Sequence, residues 1–167
     1  MYYNKYMNHI KLILFGKLKE PYLRQACAEY EKRLSAYCKL EIIELPPAAL
    51  PESPSEAQIT QAFSKETMAA LSKIPRNASI AALCLEGKQV SSEQFAAWIK
   101  AQPNEIAILI GSSHGMSEEL KQQANLRLSL SAMTFPHQLA RVMLLEQLYR
   151  AFQIFLKYRS LLKFQQN

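Results

Sequence analysis

Three stretches of the chain carry residues fit for chemistry: Leu83–Gly87 (LCLEG), Ile110–Gly115 (IGSSHG) and Leu130–Pro136 (LSAMTFP). Each lies where strand-like sequence ends, and in an open parallel sheet ligands collect outside the carboxyl ends of strands. The chain has only four glycines, and Gly87, Gly111 and Gly115 all fall in these stretches. Glycine lets backbone approach backbone or ligand closely, although a lone glycine after a strand is usually just a turn. Neither GxGxxG nor GxxxxGK[ST] occurs, which disfavours Rossmann-type dinucleotide binding and Walker-type phosphate binding. Acid–base candidates are few. His137 follows Pro136 at a helix start, where the dipole would lower an imidazole pKa. His114 lies in GSSHG and His9 near the amino end; singly, such histidines are more often surface or capping residues than catalytic ones. Ser112 and Ser113 lack GxSxG spacing and no His–Asp pairing can be read, so a hydrolase is the weaker reading.

Composition bounds what these residues can serve. A chain of 167 residues, 49% hydrophobic and 20% charged, suggests one domain with a real core. Cys27, Cys38 and Cys84 are odd in number and without CxxC spacing, which speaks for free thiols in a reducing cytoplasm and against a disulfide framework or a metal site. No apolar run reaches the ~18 residues of a membrane span, and MYYNKYMNHIK lacks the apolar core of a signal peptide. A cytoplasmic protein without a membrane partner is expected. Residues 1–8 precede the first strand-like sequence and read as an extra amino-terminal segment, with Met7 an alternative start. The net charge of +6 is uneven: +5 over residues 1–39, −3 over 40–140 and +4 over 141–167. If the basic ends meet, Lys17, Lys19, Arg24, Arg141 and Arg150 would share a face suited to nucleic acid. Charge alone leaves an ordinary solvated surface an equal reading.

The elements that must position these residues are legible from periodicity. His9–Phe15, Leu40–Leu45, Ser79–Leu85, Glu105–Ile110 and Leu126–Ser131 read as strands, with a turn at Glu86–Lys88. Helices are predicted from Pro21 to about Tyr37, around Ser55–Ser72, after Ser91 or Ser92, after Ser117, and from His137 onward. PPAALPESPSE is a surface loop between two of them. Alternation of strands and helices implies an α/β fold, a largely parallel sheet with crossover helices. The last helix, with Leu139, Val142, Met143, Leu144, Leu145, Leu148 and Phe152, has almost no polar face. Such a helix must be covered on more than one side, which predicts a symmetric dimer with Val142 and Leu145 in its interface.

LILFGKLKE, AEYEKRL, LEGKQVSSEQFA, LIGSSHGMS and LSLSAMTFPHQLARVMLLEQLYRAF, in this order, resemble the RlmH family of the SPOUT superfamily over about residues 9–154. Those are bacterial and plastid rRNA methyltransferases. The resemblance implies a single SPOUT-like α/β knot domain with helices on both sheet faces, a carboxyl-terminal trefoil knot and a homodimer. It implies S-adenosyl-L-methionine as methyl donor, and N3 of a pseudouridine in 23S rRNA of the ribosome or large subunit as target. Carried over by motif, the cofactor contacts would be Leu83, Gly111, Leu130, Ser131, Ala132, Met133, Thr134 and Phe135. That run is uncharged, which suits an adenine between apolar walls and a sulfonium met by carbonyls. The implied reaction is a displacement in which N3 attacks the methyl carbon, so positioning should dominate and a base must take the N3 proton.

Two features depart from the family. Ser112 stands where the family has the second glycine of a pair. Residues 155–167, FLKYRSLLKFQQN, replace the family's Pro-Tyr-His-Lys/Arg-like ending and contain no histidine, so no catalytic residue is carried onto them. Two readings stand: an active methyltransferase, and a cofactor- or RNA-binding dimer of the same fold whose methyl transfer is weak or lost.

Overall fold

The computed structural model describes residues 8–103 and 105–164, with side chains as far as Lys157. Residues 1–7 of the extra amino-terminal segment 1–8 and most side chains of the unusual tail lie outside the described residues. In chain order the elements are β1 (His9–Phe15), α1 (Pro21–Leu34), β2 (Lys39–Leu45), α2 (Glu56–Leu71) and β3 (Ser79–Gln89), followed by α3 (Ser92–Ala101), β4 (Ile106–Ile110), α4 (Glu118–Gln122), β5 (Leu126–Ser129) and α5 (His137–Phe164). The strands form one sheet in the order β2-β1-β4-β3-β5, and every pair is parallel. Parallel neighbours need crossovers, which the helices supply.

Both faces are covered, as expected. Ile10, Leu12 and Leu14 of β1 point to one face with α1, α3 and α5, while Ile13 and Phe15 point to the other with α2 and α4. This is the period-two alternation of a strand, here with both sides buried. β4, in the middle of the sheet, is buried at every position. Local chemistry agrees with these elements. Pro21 opens α1. Ser55 and Ser91 each close a capping box with the glutamine three residues on, and Ser117 caps α4.

Two strands differ from the sequence reading. β3 does not end at Leu85 but runs to Gln89, with residues 84–87 forming an irregularity because Leu83 and Lys88 both pair with Leu128. Gly87 permits it: a Cβ there would lie 2.6 Å from the Leu128 carbonyl carbon. β5 stops at Ser129, two residues earlier than expected. The Ser129 hydroxyl donates to the Ser131 carbonyl (2.8 Å), and the Ser131 hydroxyl accepts from the Met133 N–H (3.0 Å). These local bonds compete with the ladder and turn the chain outward.

α5 lies against α1 and α3 on one face of the sheet. Leu144, Leu145, Leu148 and Ala151 are fully buried within the protomer. Leu145 is therefore core, not the surface position the dimer expectation assigned to it. On the outer side, Leu139 is exposed and Val142 and Met143 are half-buried.

Arg141 also corrects an expectation. It is 5% exposed and cannot belong to a basic outer face. Its Nη2 donates to Glu44 Oε1 at 3.4 Å, while Nε and Nη1 have no hydrogen-bond partner. A buried guanidinium so thinly compensated makes the pair unequal. Glu44→Ala should lower the unfolding free energy by roughly 1–3 kcal/mol, because it strands the cation. Arg141→Met, which removes the charge and keeps the bulk, should cost less than about 1 kcal/mol. Urea unfolding of both variants checks this; equal losses would contradict it.

Candidate functional site

The irregular stretch of β3 at Leu83–Leu85 and the carboxyl ends of β4 and β5 open into one cleft of about 630 Å³, within the range of small-molecule sites. Leu83, Gly111, Leu130, Ser131, Met133, Thr134 and Phe135 line it, so the structure brings together all but one of the residues carried over by resemblance. Ala132 is exposed and is not part of the lining. Residues that motif matching passed over also contribute: Cys84, Leu85, Ile110, Ser112, Ser113, Gly115, Ser129, Pro136, His137 and Ala140. The signal for them was proximity, since each sits within a few residues of a strand end already singled out. Apart from the titratable His137 and Cys84, no ionisable side chain among the described residues lines the cleft.

The wall made by Gly111–Gly115 is a tight loop. The Gly115 N–H donates to the Ser112 carbonyl at 2.9 Å, and Gly115 has φ +93°. A Cβ on Gly111 would lie 2.3 Å from the Gly115 carbonyl oxygen. Glycine at 111 is thus demanded by the protein's own backbone, before any ligand is considered. Ser112, the departure from the family pattern, has no positive φ and so carries no backbone strain. Its hydroxyl donates to Glu66 Oε2 at 3.1 Å.

The histidines separate. His137 lies on the cleft, half-buried, and its pKa is lowered chiefly by burial and then by Lys19. The direction matches the sequence reading, and the causes found are desolvation and a neighbouring cation. His114 is exposed beside the Ser113 hydroxyl (3.2 Å). His9 stands at the opposite end of β1, 3.8 Å from Glu105. Neither lines the cleft. The three thiols are free, and burial raises the pKa of each, that of Cys38 to about 12. They are neutral near pH 7 and poor nucleophiles.

Lys17 and Lys19 are exposed on the loop after β1, and the Lys19 N–H donates to Gln138 Oε1 (3.2 Å), which ties that loop to the start of α5. Arg24 donates to the carbonyls of Leu18 and Lys19, and Arg150 is paired with Glu146. Among the described residues no helix is long and apolar enough to cross a membrane, and no group of three or more His, Cys, Asp or Glu is placed to hold a metal ion.

Two outcomes follow from this geometry. Gly111→Ala should displace the Gly115 backbone and weaken any ligand of the cleft by about tenfold or more, with altered amide shifts across 111–116; unchanged shifts would refute the close approach. For His137 the folded state binds a proton less readily than the unfolded state. Stability should therefore fall as pH drops through about 6.5. His137→Gln should lose less stability between pH 7.5 and 5 than the unmodified chain in paired thermal melts. An equal loss would show that the imidazole is not desolvated.

Comparison with known proteins gives the same placement. A family model described as a predicted SPOUT methyltransferase matches residues 8–158. "Ribosomal RNA large subunit methyltransferase H 1" of Clostridium perfringens is 49% identical over 150 residues, 87% of this chain and 94% of that protein. "Ribosomal RNA large subunit methyltransferase H" of Bacillus cytotoxicus is similar to the same extent, at 49% identity over 150 residues, with 87% and 94% of the two chains covered. A solved structure of "a probable methylase family protein from Haemophilus influenzae Rd KW20" superposes with a TM-score of 0.62 over 98% of this chain and 73% of that one; at 14% identity it speaks for the fold alone. Sheet order, strand-end cleft and similarity over most of the length agree: the chain belongs to the SPOUT methyltransferases, in the ribosomal RNA large subunit methyltransferase H family.

Proposed function

We propose that this chain transfers a methyl group from S-adenosyl-L-methionine to N3 of a pseudouridine in 23S rRNA of the ribosome or large subunit, in the cytoplasm. The shared name of the relatives supports large-subunit rRNA as the substrate. The observation that carries the donor assignment is the cleft's lining. Leu83, Leu85, Ile110, Leu130, Met133 and Phe135 offer apolar walls, and among the described residues no lysine or arginine lines the cleft to repel a sulfonium. These residues fit the donor.

S-adenosyl-L-methionine, when bound, supplies an electrophilic methyl carbon. The chain's own contribution is to hold and orient: Gly111–Gly115 and Leu130–Pro136 form two facing backbone walls. His137, on the same cleft with a lowered pKa, is the candidate to accept the N3 proton, because at neutral pH it is an unprotonated imidazole. The basic contact to RNA narrows to Lys17 and Lys19, since Arg141 is buried and Arg24 and Arg150 have partners in the protein.

The homodimer is part of the proposal. A second groove, about 410 Å³, runs between α3 and α5 and includes Phe95, Val142, Met143 and Glu146, and it shares Ser129 and Leu130 with the cleft. A second copy on that groove would cover the outer side of α5 and stand beside the donor. The threaded carboxyl end implied by the resemblance belongs to the same reading; the backbone approaches at Gly87 and Gly111 support a chain wound tightly there. Similarity over 87% of the chain favours the active enzyme over the reading in which the tail has cost turnover.

The test is methyl transfer from labelled donor to ribosomes that lack the modification, with naked 23S rRNA as control. A methyl on N3 blocks the pairing edge of the base, so reverse transcription should stop at one pseudouridine. Label on intact ribosomes with that stop is expected. Donor binding without transfer would instead support the tail-loss reading. Lys17→Glu with Lys19→Glu should weaken ribosome binding and flatten its salt dependence, each lost phosphate contact reducing the slope by about 0.7–0.9. Salt-indifferent binding would remove these lysines from the interface. Val142→Asp should give monomers by sedimentation, because it places an unpaired charge in the interface; a monomeric unmodified protein would end the dimer proposal.

A further inference from the structure

Glu66 is a carboxylate in the wrong place for a surface helix. It lies in α2, is 6% exposed, and makes no ion pair among the described residues. Burying a carboxylate is costly unless donors meet it. Here two neutral donors do so: the Ala48 N–H on Oε1 at 3.0 Å and the Ser112 hydroxyl on Oε2 at 3.1 Å. The next residue, Thr67, is 2% exposed and its hydroxyl meets that of Ser117 at 2.5 Å. Two consecutive buried polar side chains of α2 thus grip both ends of the segment 112–117. Between those ends lies the loop that is pressed on Gly111 and walls the cleft.

We infer that Glu66 is a positioning residue for the methyl donor, acting through Ser112. The inference rests on the reading of the cleft as the donor site. An ionised carboxylate only accepts, so the single Ser112 proton is directed to Glu66, with Gly115 O a weaker competitor at 3.4 Å. The lone pairs of Ser112 are then left free, and Ser112 offers an acceptor to a ligand that brings N–H donors and positive charge. Glu66 fixes the loop's height above the sheet and the polarity of its hydroxyl together. This also accounts for how the chain accommodates serine where its relatives' pattern has glycine: the hydroxyl has a dedicated buried partner.

The experiment is donor titration by calorimetry on the unmodified protein, Ser112→Ala, Glu66→Gln and the double variant, with steady-state kinetics on ribosomes. Ser112→Ala leaves the Ala48 contact intact and reports the loop alone. Each single variant should bind S-adenosyl-L-methionine about five- to twentyfold more weakly. The double variant should be no weaker than Glu66→Gln within about twofold, because the two act as one unit. KM for the donor should rise while kcat and KM for ribosomes hold, a split that simple loss of fold would not give. Unchanged donor affinity in Ser112→Ala, or a double variant equal to the product of the singles, overturns the role of Glu66 and leaves the cleft assignment standing. Absence of donor binding by the unmodified protein overturns the cleft assignment itself, and this inference with it.

Discussion

Backbone lies on backbone at the carboxyl edge of the sheet, and the rest of the site depends on that contact. Gly111 packs against the carbonyl of Gly115, and Gly87 packs against the β5 backbone at Arg127 and Leu128. Neither approach leaves room for a Cβ, so the loops after β4 and inside β3 are held close to the sheet without side chains as spacers. The space freed above them is the cleft. Were either loop lifted by one methyl group, the facing walls of 111–115 and 130–136 would no longer meet the same ligand.

The polar contacts that hold the loops at this edge share a logic. Glu66 and Thr67 hold the β4–α4 segment from below, and the Lys19–Gln138 bond holds the β1–α1 loop to α5. Each joins segments far apart in sequence, where apolar packing alone would leave the loop height undefined. Hydrophobic burial places the helices on the sheet; these few bonds place the loops over the cleft.

Much of this was legible from residue order. Strand alternation in HIKLILF, the unbroken IAILI and the serine–glutamine capping boxes state their elements directly, since local patterns of period two or 3.6 carry that information. The strand-end cleft followed from topology, and seven of its lining residues followed from the family's motifs. What failed did so for tertiary reasons. Arg141 and Leu145 look alike whether a helix faces solvent, a partner or its own core, and only the packing of α1 and α3 on α5 decides. The irregularity in β3 depends on pairing with Leu128, 40 or more residues away. Glu66 gave no local sign at all, because its partners come from residues 18 and 46 positions distant.

The central claim is that the methyl donor sits between the 111–115 and 130–136 walls. Backbone amide spectra recorded during titration with S-adenosyl-L-methionine test it most directly. The account predicts saturable shifts concentrated at Leu83, Gly111–Gly115 and Leu130–Phe135, with His9 and α4 unmoved. Shifts confined to the groove at Val90–Phe95 and Val142–Gln147, or no saturable shift at millimolar donor, would contradict it.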